Sequence, residues 1–242
     1  MSEAAPPNNP NMHSAMATQD PLHLFDEVAE QINALDLKPE LPLIVTDCDE
    51  VLMQFLVGLE TYLATKDLWL DLQSFALTGN IKRRESNEVV AAERVQGLLK
   101  DFFATSTEKL LPVPGAADAL KTLSERAQIV VLTNVPLADK GARTRHLASE
   151  GMDYPVIANK GLKGGAVRRM ADRVNAPVFF LDDIPHNITS VAKAHDTCHL
   201  LHFIADKRLA NLMGAAADSH FHTSDWTEAH NFISGQLDAS GF

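Results

Sequence analysis

The sequence predicts an α/β fold: a doubly wound parallel sheet with a small insertion after its first strand. Three observations carry that reading. Several apolar runs show no polar alternation and end abruptly in polar residues. Amphipathic stretches of helical spacing lie between them. Strand and helix succeed one another at a regular interval. The runs at 41–47, 128–133, 176–183 and 198–204 read as strands buried on both faces, because a strand with one wet face would alternate. Strands separated by single helices pair in parallel through right-handed crossovers.

The chain has 242 residues, enough for one large α/β domain or a core with a modest insertion. Hydrophobic residues make up 45%, in the range of a globular protein. The formal net charge of −11 supplies no basic footprint for a nucleic-acid polymer or an anionic membrane. An anionic ligand would have to be drawn by local cations. Cys48 and Cys198 both lie in apolar runs, so they read as buried free thiols, which fits a reducing compartment. The start, Met1–Pro10, has neither a basic segment nor an apolar one of the signal-peptide kind, and no apolar stretch is long enough to span a bilayer. The expectation is a soluble, cytoplasmic protein without membrane contact.

Residues 1–20 are rich in Pro, Asn, Ser and Ala and read as a flexible tail. In 21–37, Phe25, Val28, Ile32 and Leu35 recur at helical spacing, with Asp20 and Pro21 as cap and first position. After the opening strand, residues 53–110 contain no strand-like run. Phe55, Leu59 and Leu63 share helical spacing, as do Val95, Leu98 and Phe102, and Leu68–Phe75 reads as helical between them. This predicts a core of residues 21–52 and 111–242, with a helical cap at 53–110. The prolyl connector Leu111–Ala116 returns the chain to a helix at about 115–126. Past the 128–133 strand, a helix around 138–150 stops at Gly151, and a short strand covers Tyr154–Ala158. A glycine-containing turn at 159–165 then opens a helix carrying Val167, Met170 and Val174, and a last strand-helix unit falls near 220–232.

What ends each strand points to function. The opening strand gives Asp47 and Asp49, which alternation sends to one side with Cys48 opposite. The 128–133 strand gives Thr133 and Asn134. The turn at 159–165 gives Lys160 and Lys163, and the next strand gives Asp182 and Asp183. In a parallel sheet these tips share the carboxyl edge, where open α/β sheets hold their ligands. Four carboxylates at one site could not all stay ionised unaided. A hard divalent cation resolves the repulsion, and oxygen ligands suit Mg²⁺. A hydroxyl, an amide and an ammonium are what a phosphoryl group needs to be held. The set therefore reads as a phosphoryl-transfer site with bound Mg²⁺. Lys163 is preferred to Lys160 because it stands directly at a helix start.

In order and position these residues resemble the four motifs of the haloacid dehalogenase (HAD) superfamily. The strand ending Asp47-Cys48-Asp49-Glu50-Val51-Leu52 resembles the first motif, and Ile129–Asn134 the second. Lys163 before Gly164-Gly165-Ala166-Val167 resembles the third. Phe179–Asp183, with Asn187 following, resembles the fourth in its paired-acid form. The resemblance spans roughly residues 40–235. It implies that Asp47 is a nucleophile forming an aspartyl-phosphate, and that Asp49 is first general acid and then general base. It implies that Thr133 and Lys163 hold the phosphoryl oxygens. It also implies that Asp182 and Asp183 bind Mg²⁺ with the Asp47 carboxylate and the Asp49 main-chain carbonyl; which of the pair binds directly stays open. Asp49 favours phosphatase or phosphomutase chemistry, since dehalogenases resembling this core lack that second acid. Glu50 departs from the pattern, because many phosphatases of this kind have Gly there, and a charged side chain could gate the entrance.

The insertion lies where a type 1 (C1) cap would be, with Trp69 and Lys82-Arg83-Arg84 as candidate contacts against plainer roles as cap core and solvated helix end. His220 and His222 share a strand face but lack the further ligands of a metal site. The expected activity is hydrolysis of a small phosphorylated metabolite, nucleotides included, by a monomer or homodimer. The alternatives are a phosphomutase and a low-turnover binding or regulatory protein.

Overall fold

The computed structural model describes residues 20–74 and 76–242. Among them, six strands form one parallel sheet: β1 (Leu43–Thr46), β4 (Gln128–Thr133), β5 (Val156–Ala158), β6 (Val178–Asp182), β7 (His199–Phe203) and β8 (Phe221–Thr223). Their spatial order is β5-β4-β1-β6-β7-β8, with every neighbouring pair parallel. The order reverses direction at β1. β1 is therefore central and opens onto the crevice where a doubly wound sheet binds ligands.

The sheet is buried on both faces, as unbroken apolar runs require. Ile44, Ile129, Val131, Phe179 and Leu181 face one hydrophobic cluster. Leu43, Val45, Val130, Leu132, Val178 and Phe180 face the other. Helices α4 (Ala116–Leu123), α5 (Lys140–Ser149) and α9 (Trp226–Ala239) cover the first face, contributing Leu120, Leu147 and Ile233. Helices α1 (Asp26–Asn33), α6 (Gly164–Ala171) and α7 (Pro185–Ala194) cover the second through Ile32, Val167 and Val191. Helix α8 (Lys207–Met213) follows β7. The expected doubly wound architecture is present.

Two expectations need correction. The first helix is shorter than 21–37. Asp20 and Pro21 do not begin it; Asp20 closes a turn, accepting from Leu22 N at 3.0 Å through Oδ1 and from His23 N at 3.0 Å through its carbonyl. The segment after that turn runs past the start of α6, with the Pro21 and His23 carbonyls against Gly164 and Gly165, and the helix begins only at Asp26. The flexible tail expected at 1–20 falls, apart from Asp20, outside the described residues.

The insertion is not wholly helical. Between α2 (Phe55–Ala64) and α3 (Ala92–Ser106), β2 (Leu68–Leu70) pairs antiparallel with β3 (Ile81–Arg83). Residues 68–70 thus form a strand where a helix was expected, and Phe75 lies outside the described residues. The physical reason is visible locally. Asp67, at φ 56°, breaks the chain away from α2, and Leu68 and Leu70 alternate about half-buried Trp69, a period of two. The apolar side chains of the insertion run on into the core: Leu56, Leu59, Leu63, Val95 and Phe102 belong to the same cluster as Ile44 and Phe179.

The turn into α6 explains its paired glycines. A Cβ on Gly164 would lie 2.4 Å from Pro21 O and 2.5 Å from Ser190 O. One on Gly165 would lie 2.6 Å from His23 O. Backbone on both sides fixes this helix start, and with it Lys163. Gly164→Ala should cost about 1–3 kcal/mol of stability through overpacking. Gly235→Ala, at an exposed position of α9 with open space around it, should instead gain about 0.5–1 kcal/mol through helix propensity. Urea melts of the two variants against the parent chain test the contrast.

Candidate active site

Four strand tips supply the site. The β1 ladder continues one residue further, with Asp47 N donating to Leu181 O at 2.8 Å, and fixes the Asp47 main chain at the edge. Helix α6 places Lys163 just before its first turn, fully buried. Lys163 Nζ lies 2.7 Å from Asp47 Oδ1 and 2.6 Å from Asp182 Oδ2. Asp182 also accepts on Oδ1 from Asn187 Nδ2 and from Ile184 N, both at 2.9 Å. Charge-assisted donors on both oxygens hold this carboxylate in one orientation.

Burial alone would lower the Lys163 pKa, but Asp182 and Asp47 outweigh it and hold the ammonium charged. Burial raises the Asp182 pKa to about 6, against the opposing pull of Lys163. Asp183 is raised well above the usual carboxylate range, first by burial and then by the charges of Asp182, Asp47 and Glu50. Asp47, Asp182 and Asp183 can each offer an oxygen, and those oxygens lie within 4.8 Å of one another. The ammonium is engaged by Asp47 and Asp182, so Asp183 adds a charge that Lys163 does not balance. This donor set fits a hard divalent cation.

Asp49 stands apart from that group. Its Oδ1 lies 2.8 Å from Arg143 Nη2, and its side chain keeps 21% exposure. Arg143 rises from α5, on the sheet face opposite Lys163, and its Nη1 donates to Cys48 Sγ at 3.2 Å. Burial raises the Asp49 pKa; Arg143 pulls it down and Asp47 pushes it up. The Cys48 thiol is pushed up to about 12, chiefly by burial.

The remaining expected residues take distinct places. Thr133 ends β4 and is buried. Asn134 is exposed and bonds the loop after β5: its Nδ2 donates to Gly161 O at 3.0 Å, and its Oδ1 accepts from Asn159 Nδ2 at 2.8 Å. Lys160 is exposed, 3.8 Å from Glu27 and over the Phe25 ring, away from the acids. Lys82 pairs with Asp71, while Arg83 and Arg84 are exposed. His220 Nδ1 accepts from Leu200 N, and His222 stacks on His202.

Glu50 is held inward rather than projecting as a free charge. It is buried, and its backbone adopts φ 58°, a conformation that favours glycine. Its side chain offsets that strain. Oε1 accepts from Leu56 N at 2.6 Å, at the start of α2, and Oε2 from Asp206 N at 2.9 Å, beyond β7. Glu50 therefore ties the insertion to the core. Beside it lies a cleft of about 450 Å³, lined by Gln54, Val57, Asp206, Arg208 and Asp225 among others and by none of the clustered acids.

Sequence reasoning missed Arg143, and it gave His202 a packing or capping role beside a buried strand without its link to Asp183. Arg143 shares the buried face of α5 with His146 and Leu147, three and four residues on. That helical spacing was a usable signal. His202 bonds the Asp183 carbonyl through Nε2 at 2.9 Å and accepts from Ala216 N through Nδ1 at 3.0 Å. These partners fix an Nε2–H tautomer and steady the main chain that carries Asp183. Nothing in the local sequence marks that link.

No protein-family model matches the chain, and no curated protein matches it. Solved structures do. A conserved haloacid dehalogenase-like protein of unknown function from Agrobacterium tumefaciens aligns with a TM-score of 0.56 at 13% identity, over 81% of this chain and 98% of that one. A HAD family hydrolase from Deinococcus radiodurans, solved with bound phosphate and sodium, gives 0.53 at 13%, over 84% and 97%. The L-2-haloacid dehalogenase from Xanthobacter autotrophicus gives 0.50 at 12%, over 80% and 98%. The class is thus a doubly wound α/β protein with its acids at the topological switch point. More particularly, this chain has the haloacid dehalogenase fold.

Glu50 yields a pH dependence. Burial, the largest cause, raises its pKa to about 7 from 4.5, against the two backbone donors. A carboxyl raised in the folded state stabilises fully below its unfolded pKa and loses that advantage as pH climbs through the folded one. Relative to Glu50→Gln, which is neutral throughout, the parent should lose about 2.5 kcal/mol of stability between pH 5 and pH 8. Urea melts of both proteins across that range read it directly.

Proposed function

We propose that this chain is a Mg²⁺-dependent phosphatase that hydrolyses a small phosphorylated metabolite through an aspartyl-phosphate on Asp47. The observation that carries the reading is the division of labour among the acids. Asp47 shares Lys163 with Asp182 inside the proposed cation cradle, while Asp49, two residues on, is held separately by Arg143. Nucleophile and proton carrier thus occupy different electrostatic settings, as a two-step displacement needs. The bound phosphate of the Deinococcus radiodurans structure agrees with phosphoryl chemistry on this fold.

In the first step an Asp47 oxygen attacks phosphorus, the ester P–O bond breaks, and Asp49 gives its proton to the departing oxygen. In the second, water attacks the aspartyl-phosphate and its proton passes to Asp49. The P–O bond to Asp47 then breaks, releasing phosphate. Lys163 balances charge on the transferring oxygens, and Thr133, at the adjacent strand tip, supplies a hydroxyl. A divalent cation held by Asp47, Asp182 and Asp183 would act as a Lewis acid toward the phosphoryl oxygens. The second acid, Asp49, is what favours this reading over a dehalogenase of the same fold. A phosphomutase would use the same groups and differ in retaining its intermediate.

Among the described residues no helix is long and apolar enough to cross a membrane. The proposed partner is a small phosphate ester.

Asp47→Asn should abolish phosphate release from a panel of phosphorylated metabolites assayed with Mg²⁺ while leaving the circular dichroism spectrum unchanged. Turnover by that variant at the parent rate would refute the nucleophile. With the parent protein, EDTA should remove activity and excess Mg²⁺ restore it. Activity that persists in EDTA would refute the cation role of Asp182 and Asp183.

A further inference from the structure

Arg143 is a fully buried cation at the strand tip that the two-step chemistry does not itself use. It comes from the middle of α5, anchored on the same buried face by His146, whose Nε2 lies 2.7 Å from Leu110 O, and by Leu147. The guanidinium has no exposure, being closed off by Cys48 and Asp49, so it cannot touch a substrate. Its contact with Asp49 is a buried ion pair, with Nη2 2.8 Å from Asp49 Oδ1.

Since Oδ1 is the buried oxygen, the exposure that Asp49 keeps belongs to the rest of the side chain. The acid is therefore tethered at one oxygen and open to the site elsewhere. Asp47, by contrast, is nearly closed off and bound to Lys163 from the other sheet face.

We propose that Arg143 is a positioning residue: its buried charge tethers Asp49 by one oxygen, separates it from Asp47 and Lys163, and aims the free oxygen at the leaving group. The assignment rests on the phosphatase reading above. Two features support it. Arg143 supplies Asp49 with its own counter-charge, so Asp49 need not compete for Lys163. The bond to Cys48, the residue between the two acids, fixes the guanidinium relative to both.

The test separates positioning from mere support of the fold. The parent, Arg143→Lys and Arg143→Gln are assayed with Mg²⁺ on p-nitrophenyl phosphate, whose leaving group departs without a proton, and on phenyl phosphate, whose leaving group needs one. With Gln, kcat/KM on phenyl phosphate should fall by on the order of 10- to 100-fold, within the range of general acid catalysis. On p-nitrophenyl phosphate it should stay near the parent value. Lys, which keeps the charge, should recover much of the loss. An equal fall on both esters, no fall on either, or no difference between Lys and Gln would overturn the assignment.

Crystal structures of the parent and of Arg143→Gln give a readout that does not depend on turnover. Asp49 should be turned from its tethered position in the variant. An unmoved Asp49 would overturn the inference even if the phosphatase reading stands. A parent inactive on every phosphate ester would overturn that reading and leave the side-chain comparison to decide the tether.

Discussion

Like charges at a single sheet edge are the constraint on which this structure depends. Asp47, Asp49, Asp182 and Asp183 converge because parallel strands all deliver their tips to one side. Such a group is tolerable only where each charge has compensation. The fold provides it from two directions. Helix α6 brings Lys163 to Asp47 and Asp182 from one face, while α5 brings Arg143 to Asp49 from the other. Asp183 has no ion pair of its own among the described residues, and its oxygen joins those of Asp47 and Asp182 in a donor set that fits a hard divalent cation. Much nearby detail serves this arrangement: the glycine pair that lets chain pass the start of α6, Asn187 on Asp182, and His202 on the Asp183 carbonyl.

Much of this was legible in the sequence. Unbroken apolar runs are a one-dimensional trace of strands buried on both faces, and polar residues at their ends mark an edge. Asp47, Lys163 and Asp182 could be associated from order alone because parallel topology leaves little freedom. What escaped was of two kinds. Short elements gave too little pattern: three residues at Leu68–Leu70 show only one alternation, which an equally short helical face can mimic. Partnerships across the fold gave none. Arg143 meets Asp49 across 94 positions, and Glu50 meets Asp206 N across 156.

Glu50 shows how a departure from an expected residue can mislead. A charge where glycine was expected suggested an obstruction at the mouth. The side chain turns inward instead, and bonds that glycine could not make offset the strained backbone. The same inward turn brings α2, the β7 loop and the first motif together. Trp226 adds a further tie, donating from Nε1 to Val51 O at 2.8 Å.

The shared interior of insertion and core bears on how such proteins diversify. A segment with its own hydrophobic centre can be exchanged between relatives as a module. Here Leu56, Leu59 and Phe102 lie in one apolar mass with Val51, Leu52, Met53 and Phe179. A graft cut at the chain boundaries would present foreign side chains to a mould shaped for these. Transplanting the insertion would thus require Val51, Leu52 and Met53 at its root as well, so the unit of inheritance is wider than the unit of connectivity.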